Sequence, residues 1–550
     1  MGSDAIIPYL LQEAAACVAG QRFNQAYTLL SKAFYLAPEH QASFLPLATL
    51  CQLTKRRSEL EQLCRMRLAA VPNDTDALYH LSGVLLSRQH FSDGIACLRR
   101  ILALNPRHLN AWIDLGCAVK KLGDIEQALD CFRQALTIDP ASAIASDNYL
   151  FALLFTPRQS PAEIFAAHRR WGMALPIAPK AGLQPLPAGE KIKIGYISPD
   201  FREHSVASFF EPLLAAHDRH AFQITCYHSH DVEDQVTARL RQSADQWRTI
   251  ADMDDETAAA VIRRDGIHIL VEMAGHTAWN RLELLNLRPA PLQVTWLGYP
   301  HSTGLASVDY RISDGCADPL GSSELLHTEQ LWRIAAPFLC FMQPENAPPV
   351  APLPAERNGF VTFCSFNNFA KVNDEVIALW REILDELPEA RLLLKSEVFA
   401  DEVTAANIIQ LSGLPRERLI LIGTTPDRGA HLALYGQVDI ALDTFPYNGT
   451  TTTCEALYMG VPVVTLRGEH HAARVGGTLL EAVGTPELMA ENRANYVAAA
   501  VSLAQDLPKL RQLRAGLRGM LEGSALMDRH GFAVKIEAAY REMLQRAAVC

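Results

Sequence analysis

The sequence predicts a helical solenoid followed by two doubly wound α/β lobes, an α plus α/β chain, and three observations carry that prediction. Four prolines, Pro38, Pro72, Pro106 and Pro140, stand 34 residues apart. From Lys191 onward, short apolar runs alternate with helix-length segments, the pattern of a parallel sheet wrapped by helices. Five prolines between Pro344 and Pro354 then divide that alternation into two similar halves. A chain of 550 residues is also too long for a single core, so several domains are expected.

A 34-residue period ending in proline is the signature of tetratricopeptide repeats, each a pair of antiparallel helices. Small side chains recur where two such helices must cross: Ala26, Gly94 and Ala128 stand twelve residues before a proline, and Ala14, Ala48, Ser82 and Gly116 twenty-four before. Leu60 interrupts the first column. A bulky column four residues further upstream holds Leu10, Phe44, Leu78 and Trp112, of which only Trp112 is the consensus residue. The second repeat is the most degraded, with Leu60 and Arg67 where alanine is usual. Residues 1–150 thus read as a superhelix of about four repeats, and solenoids present concave surfaces to peptides and other proteins.

Residues 151–190 read as capping helices, expected over 148–155 and 161–175, and a linker over 176–189 whose prolines break helices. The first lobe, 191–345, should carry strands at 192–197, 222–227, 268–273 and 292–297, with helices at 206–217 and 256–264. The second, 346–550, should carry strands at 360–364, 391–395, 419–422, 438–442 and 462–466 and end in helices. Two such lobes create a cleft between the carboxyl ends of their strands, where ligands of doubly wound sheets bind. One large sheet is the alternative, which the proline cluster disfavours.

Composition removes several classes. A net charge of −11 and a pI near 5.9 argue against a nucleic-acid partner or an anionic membrane surface. Twelve cysteines without a C-x-x-C pair suggest neither a zinc ribbon nor a disulfide framework, and reduced thiols fit a cytoplasmic location. Pro8, Gln12 and Glu13 interrupt the first apolar stretch, no apolar run is long enough to span a bilayer, and Ile6 occupies the position where a myristoylation signal wants Ser or Thr. Walker A, G-x-G-x-x-G, H-E-x-x-H and G-x-S-x-G motifs are absent.

The most informative local string runs from Leu442 to Glu455. An expected strand passes through a Pro446–Asn448–Gly449 turn into a helix opened by Thr450, Thr451, Thr452 and Thr453. A helix N-terminus offers unpaired amides and the positive end of its dipole, which suits a phosphate; simple N-capping is the alternative, although one threonine would serve for that. Glu455, one turn in, can accept from two ribose hydroxyls. Lys371, with Asn368 beside it, follows the first strand of the second lobe; it either neutralises a leaving diphosphate or is an ordinary solvated lysine. His204 follows the first strand of the first lobe, where it can handle a proton near neutrality or cap a helix. Asp265 and His268 precede or open another strand, His268 more in the manner of a buried structural histidine. Tyr299, in a Gly298–Pro300 turn, would shape a pocket. Asp252 and Asp254 have the spacing of a metal-bound nucleotide-sugar motif but look like a helix start, and the side chains of His470 and His471 diverge.

Five strings together resemble the O-linked N-acetylglucosaminyltransferases: Ser-Pro-Asp-Phe-x-x-His at 198–204, Asp-Gly-Ile-His-Ile-Leu-Val at 265–271, Arg-Pro-Ala-Pro-x-Gln-x-x-Trp-Leu-Gly-Tyr-Pro at 288–300, Phe-Asn-Asn-Phe-x-Lys at 366–371 and Leu-Asp-Thr-x-Pro-x-Asn-Gly-x-Thr-Thr at 442–452. The likeness covers nearly the whole chain and looks like a compact bacterial member. It implies a GT-B fold, UDP-GlcNAc as donor, inversion, and neither metal nor cofactor. By resemblance, Lys371 and Asn368 bind the diphosphate, Thr451 and Thr452 donate to the β-phosphate, Glu455 holds the ribose, His431 stacks on uracil with Arg428 beside it, and His204 stands near acceptor and sugar. Family members often carry Gln at Asn368, His at Thr450, Lys at Arg428 and Asp at Glu455. The implied activity is GlcNAc transfer to Ser or Thr of proteins bound along the repeat groove. A UDP-hexose transferase acting on asparagine or a non-protein acceptor, and an inactive repeat scaffold that senses UDP-sugars, are the alternatives.

Overall fold

The computed structural model describes residues 3–180, 182, 187, 189–413 and 416–549; part of the expected linker lies outside them. Eight helices form four antiparallel pairs: α1 (Ser3–Ala19) with α2 (Phe23–Leu36), α3 (Gln41–Leu53) with α4 (Arg57–Ala70), α5 (Thr75–Ser87) with α6 (Phe91–Leu104), and α7 (Leu109–Lys121) with α8 (Ile125–Ile138). Each periodic proline stands two residues past the second helix of its pair, where it stops the helix without costing a hydrogen bond. The small-residue columns are the crossing points. A Cβ on Gly94 would lie 2.7 Å from Leu86, and one on Gly116 2.5 Å from Phe132. The degraded second repeat has its own repair: the Arg67 guanidinium is buried, lies 2.6 Å from the Asp74 carboxylate and donates to the Pro38 carbonyl at 2.9 Å. Asp74 also caps α5, so one buried pair ties three successive repeats together.

Two compact units result, residues 1–145 with 397–408, and residues 146–396 with 409–550. The segment 397–408 was expected inside the second lobe; its Asp401 accepts from both the amide and the hydroxyl of Ser92, at 3.0 and 2.9 Å, bonds that no local pattern announces.

In the second unit, β1 (Ile192–Ser198), β2 (Phe222–His228), β3 (Gln246–Thr249), β4 (Ile269–Glu272), β5 (Leu292–Thr295), β6 (Tyr310–Asp314) and β7 (Gln330–Ile334) form one sheet in the order 3-2-1-4-5-6-7. The other sheet holds β8 (Thr362–Ser365), β9 (Arg391–Lys395), β10 (Leu419–Ile422), β11 (Ile440–Leu442), β12 (Val463–Leu466) and β13 (Met489–Ala490), ordered 10-9-8-11-12-13. Every pairing is parallel. The order reverses between β1 and β4 and again between β8 and β11, so each sheet has one switch point.

Nine strands fall where expected, whereas β3, β6, β7 and β13 were not foreseen. In β6 the reason is Arg311, an apparent surface residue that is buried and donates to the Tyr299 and His301 carbonyls. The carboxyl edges of the two sheets meet: His471 lies 2.6 Å from Asp318, Arg474 donates to the Cys316 carbonyl, and Thr478 to Asp314. The last helix, Arg529–Val549, expected with the second lobe, packs on the first. Its Tyr540 hydroxyl lies 3.1 Å from that of Tyr196, and Glu537 accepts from the Asp218 amide at 2.8 Å.

Candidate active site

The switch point of the second sheet collects the residues the sequence singled out. The loop after β8 carries Asn368 and Lys371; the loop after β11 carries the Pro446–Gly449 turn and enters the helix Thr451–Tyr458. Asp443 organises this turn from a fully buried position. Its carboxylate accepts from the amides of Thr444 and Gly449, at 2.9 and 2.6 Å, from Asn367 at 3.2 Å and from the Thr465 hydroxyl on β12 at 2.7 Å. Gly449 is required by space: a Cβ there would meet Thr452 Oγ1 at 2.6 Å, Asn367 Oδ1 at 2.7 Å and Thr453 Oγ1 at 2.8 Å. The helix behind it opens without a side-chain cap, because the Thr450 hydroxyl takes no bond from the first turn. The capping alternative therefore fails for Thr450, and Thr452 instead donates to Asn367.

Lys371 ends the short turn Phe369–Lys371, which Asn368 caps through the Ala370 amide. Its ammonium donates to the Asn448 carbonyl at 2.8 Å and sits 3.8 Å over the Tyr447 ring. Desolvation pushes its pKa down to about 8, against the pull of the Asp443 carboxylate. It is thus held at the turn rather than solvated.

Glu455 is 6% exposed and meets the Arg428 guanidinium at 3.3 Å and the His431 imidazole at 3.1 Å. Arg428 and His431 share one short helix, capped by Asp427, and the His431 ring lies 5.7 Å from Phe366. At the carboxyl end of β9, desolvation lowers the pKa of Lys395 and the Glu455 charge opposes it. Sequence reasoning missed Asn367, Asp443, Tyr447 and Lys395. Only the rule that the residues after a strand's carboxyl end face the ligand could have found the first two.

In the first lobe, His204 follows β1 and caps the helix Ser205–Ala216 through Nδ1, with Asp200 3.5 Å away. Desolvation lowers its pKa, opposed by Asp200 and reinforced by Arg202. Tyr299 is buried; its hydroxyl meets His168 at 2.8 Å and its ring stands 5.7 Å from Phe151, which in turn lies 6.3 Å from Tyr447. It is a pillar behind the site. Asp265 and His268 stand at the amino end of β4, away from the carboxyl edge. Asp265 accepts from the Tyr227 hydroxyl and Arg248, and His268 from the Lys193 amide, so neither belongs to the site. Asp254 caps a helix through the Thr257 amide. Among the described residues no three His, Cys, Asp or Glu side chains converge on a position for a metal ion.

Two parallel lobes meeting at their carboxyl edges, with a lysine and an uncapped helix start at one switch point, define a GT-B fold preceded by helical repeats. The family described as glycosyl transferase family 41 matches residues 181–340 and 353–536, a tetratricopeptide repeat family matches 81–147, and the chain belongs to family 41. A protein described as a probable UDP-N-acetylglucosamine–peptide N-acetylglucosaminyltransferase SPINDLY from Oryza sativa subsp. japonica is 40% identical over 428 residues, covering 76% of this chain and 46% of its own. The Arabidopsis thaliana protein of that name is 42% identical over 419 residues, covering 74% and 46%. The chain thus spans just under half the length of these curated relatives. A solved structure of a mutant O-GlcNAc transferase from Thermobaculum terrenum matches with a TM-score of 0.85 and 32% identity, over 100% of this chain and 99% of that one.

Proposed function

We propose that this chain transfers N-acetylglucosamine from UDP-GlcNAc to serine and threonine hydroxyls of proteins, with inversion and without a metal or other cofactor. The observation that carries the reading is Lys371 held against the Gly449 turn and the open start of the helix Thr451–Tyr458. A diphosphate seated there would meet the ammonium, the first-turn amides and the hydroxyls of Thr451 and Thr452, with Asn368 alongside. Glu455 would exchange its bonds to Arg428 and His431 for ribose hydroxyls, leaving the imidazole to stack on uracil.

In the reaction the acceptor oxygen attacks the anomeric carbon from the face opposite the diphosphate, the bond from that carbon to the diphosphate oxygen breaks, and UDP leaves with the electron pair. Lys371 and the helix start stabilise the charge that develops, a fixed electrostatic arrangement doing the work a cation does elsewhere. His204, kept neutral by desolvation, takes the acceptor proton. Acceptor segments lying along the repeats and a cytoplasmic location complete the reading, the latter supported by cysteines that form no disulfide among the described residues. Among the described residues no helix is long and apolar enough to cross a membrane.

Thr450, where family members often carry histidine, favours a second reading in which another UDP-linked sugar is moved by the same machinery. Mass spectrometry of products formed from a mixture of UDP-sugars decides between the two. GlcNAc on Ser or Thr supports the first reading, and a different sugar overturns it. Lys371→Ala in the purified protein tests the shared mechanism, since undiminished turnover would remove Lys371 from it.

A further inference from the structure

The carboxyl edge of the first sheet carries one feature the proposed reaction has not used. Trp279, in the loop after β4, is 67% exposed, and its backbone is left-handed at φ 64. A bulky residue in that region is strained, and strain of this kind persists only where the surroundings impose it. They do so here from both sides. His276 lies 2.7 Å from Asp147 and 2.9 Å from the Thr303 carbonyl; Asn280 donates to Asp147 and to the Thr277 carbonyl; Arg281 holds Asp255 and the Ile250 and Met253 carbonyls. Burial does not account for the indole, and a glycine would satisfy the same backbone without strain.

Its neighbours point to a ligand. The His230 ring, after β2, meets the Trp279 ring edge to face at 5.1 Å. His230 also acts electrostatically on Asp200, the carboxylate 3.5 Å from His204. Loops after β1, β2 and β4 therefore bring together an exposed aromatic face, an imidazole and the proposed base. The proposed donor site belongs to the other lobe.

We propose that Trp279, with His230, forms a subsite for the acceptor polypeptide beside its reacting hydroxyl. The indole face packs on an apolar or proline side chain flanking that residue. The inference rests on the proposed protein glycosylation.

The test uses the full chain, UDP-GlcNAc and a library of short peptides with a central serine or threonine, and takes the best substrate of the unaltered protein into Trp279→Ala and Trp279→Phe. The expected result is an acceptor KM raised about tenfold in Trp279→Ala with kcat little changed, and most of the loss recovered in Trp279→Phe, in line with the worth of one aromatic contact. An unchanged acceptor KM in Trp279→Ala, or a fall in kcat alone, overturns the subsite while leaving the glycosyltransferase reading intact. Transfer to no peptide by the unaltered protein, with slow UDP-GlcNAc hydrolysis still present, overturns the peptide acceptor and this subsite together.

Discussion

In the first lobe Glu272, at the end of β4, accepts from the amides of Ala274 and Gly275 and from the hydroxyl of Thr295 on β5. In the second, Asp443, just past β11, accepts from the amides of Thr444 and Gly449 and from the hydroxyl of Thr465 on β12. Each is a buried carboxylate on the fourth strand of its sheet, pinning the switch-point loop to a threonine on the fifth. Burial raises both pKa values and the bonds from the loop amides oppose it. The lobes part company in what faces that carboxylate. Asp443 feels Lys371, which follows β8, whereas Glu272 feels His276 and the buried Arg311 of β6. A shared topology thus builds two equivalent loops, and the side chains placed on them set the chemistry each can offer.

The largest expected break in that comparison is Lys371→Ala, which should lower kcat by about a hundredfold or more in a steady-state assay, as loss of one fixed electrostatic group does. Next come the two carboxylates. Asp443→Ala and Glu272→Ala should each destabilise the fold by about 2–3 kcal/mol in urea unfolding, because each strands several buried donors. Equal losses confirm the common device; a difference of several kcal/mol denies it. Glu455→Ala should raise the donor KM by about tenfold and leave the acceptor KM alone, the size of effect a charge-assisted hydrogen bond to a ligand gives.

The smallest effects are titrations. Lys371 is cationic below about 8, so kcat/KM should fall as pH rises through that value, and Asp443→Asn should move this limb to lower pH by removing the carboxylate that raises it. His204 must be neutral to take a proton, so the acid limb should lie below the ordinary imidazole value of 6.5, and Asp200→Asn should lower it further. An alkaline limb that survives in Lys371→Ala would assign it elsewhere.

Much of this was legible because it is local. Lys371 and the threonine run stand directly after apolar strands, and a strand's carboxyl end can be read from its own hydrophobicity. The same rule, applied in reverse, would have excluded Asp265 and His268, which precede β4. Glu455 was expected to face a ribose, but nothing in the chain near it announced Arg428 and His431 as its partners. Trp279 is invisible in sequence, since a lone tryptophan in a loop reads as buried until its backbone and exposure are seen. Strands β3 and β7 were missed because edge strands carry polar residues.

The sequence alone determined the helical period, both parallel sheets and the loops from which an anion site could be made, because spacing and apolar patterning act over a few residues. Only the tertiary structure decided that Arg67 and Asp74 rescue a weak repeat, that the last helix crosses to the first lobe, and that Asp443 and Glu272 are counterparts. Each of these depends on how the folded chain buries polar groups, and a buried charge or hydroxyl is defined by what closes over it.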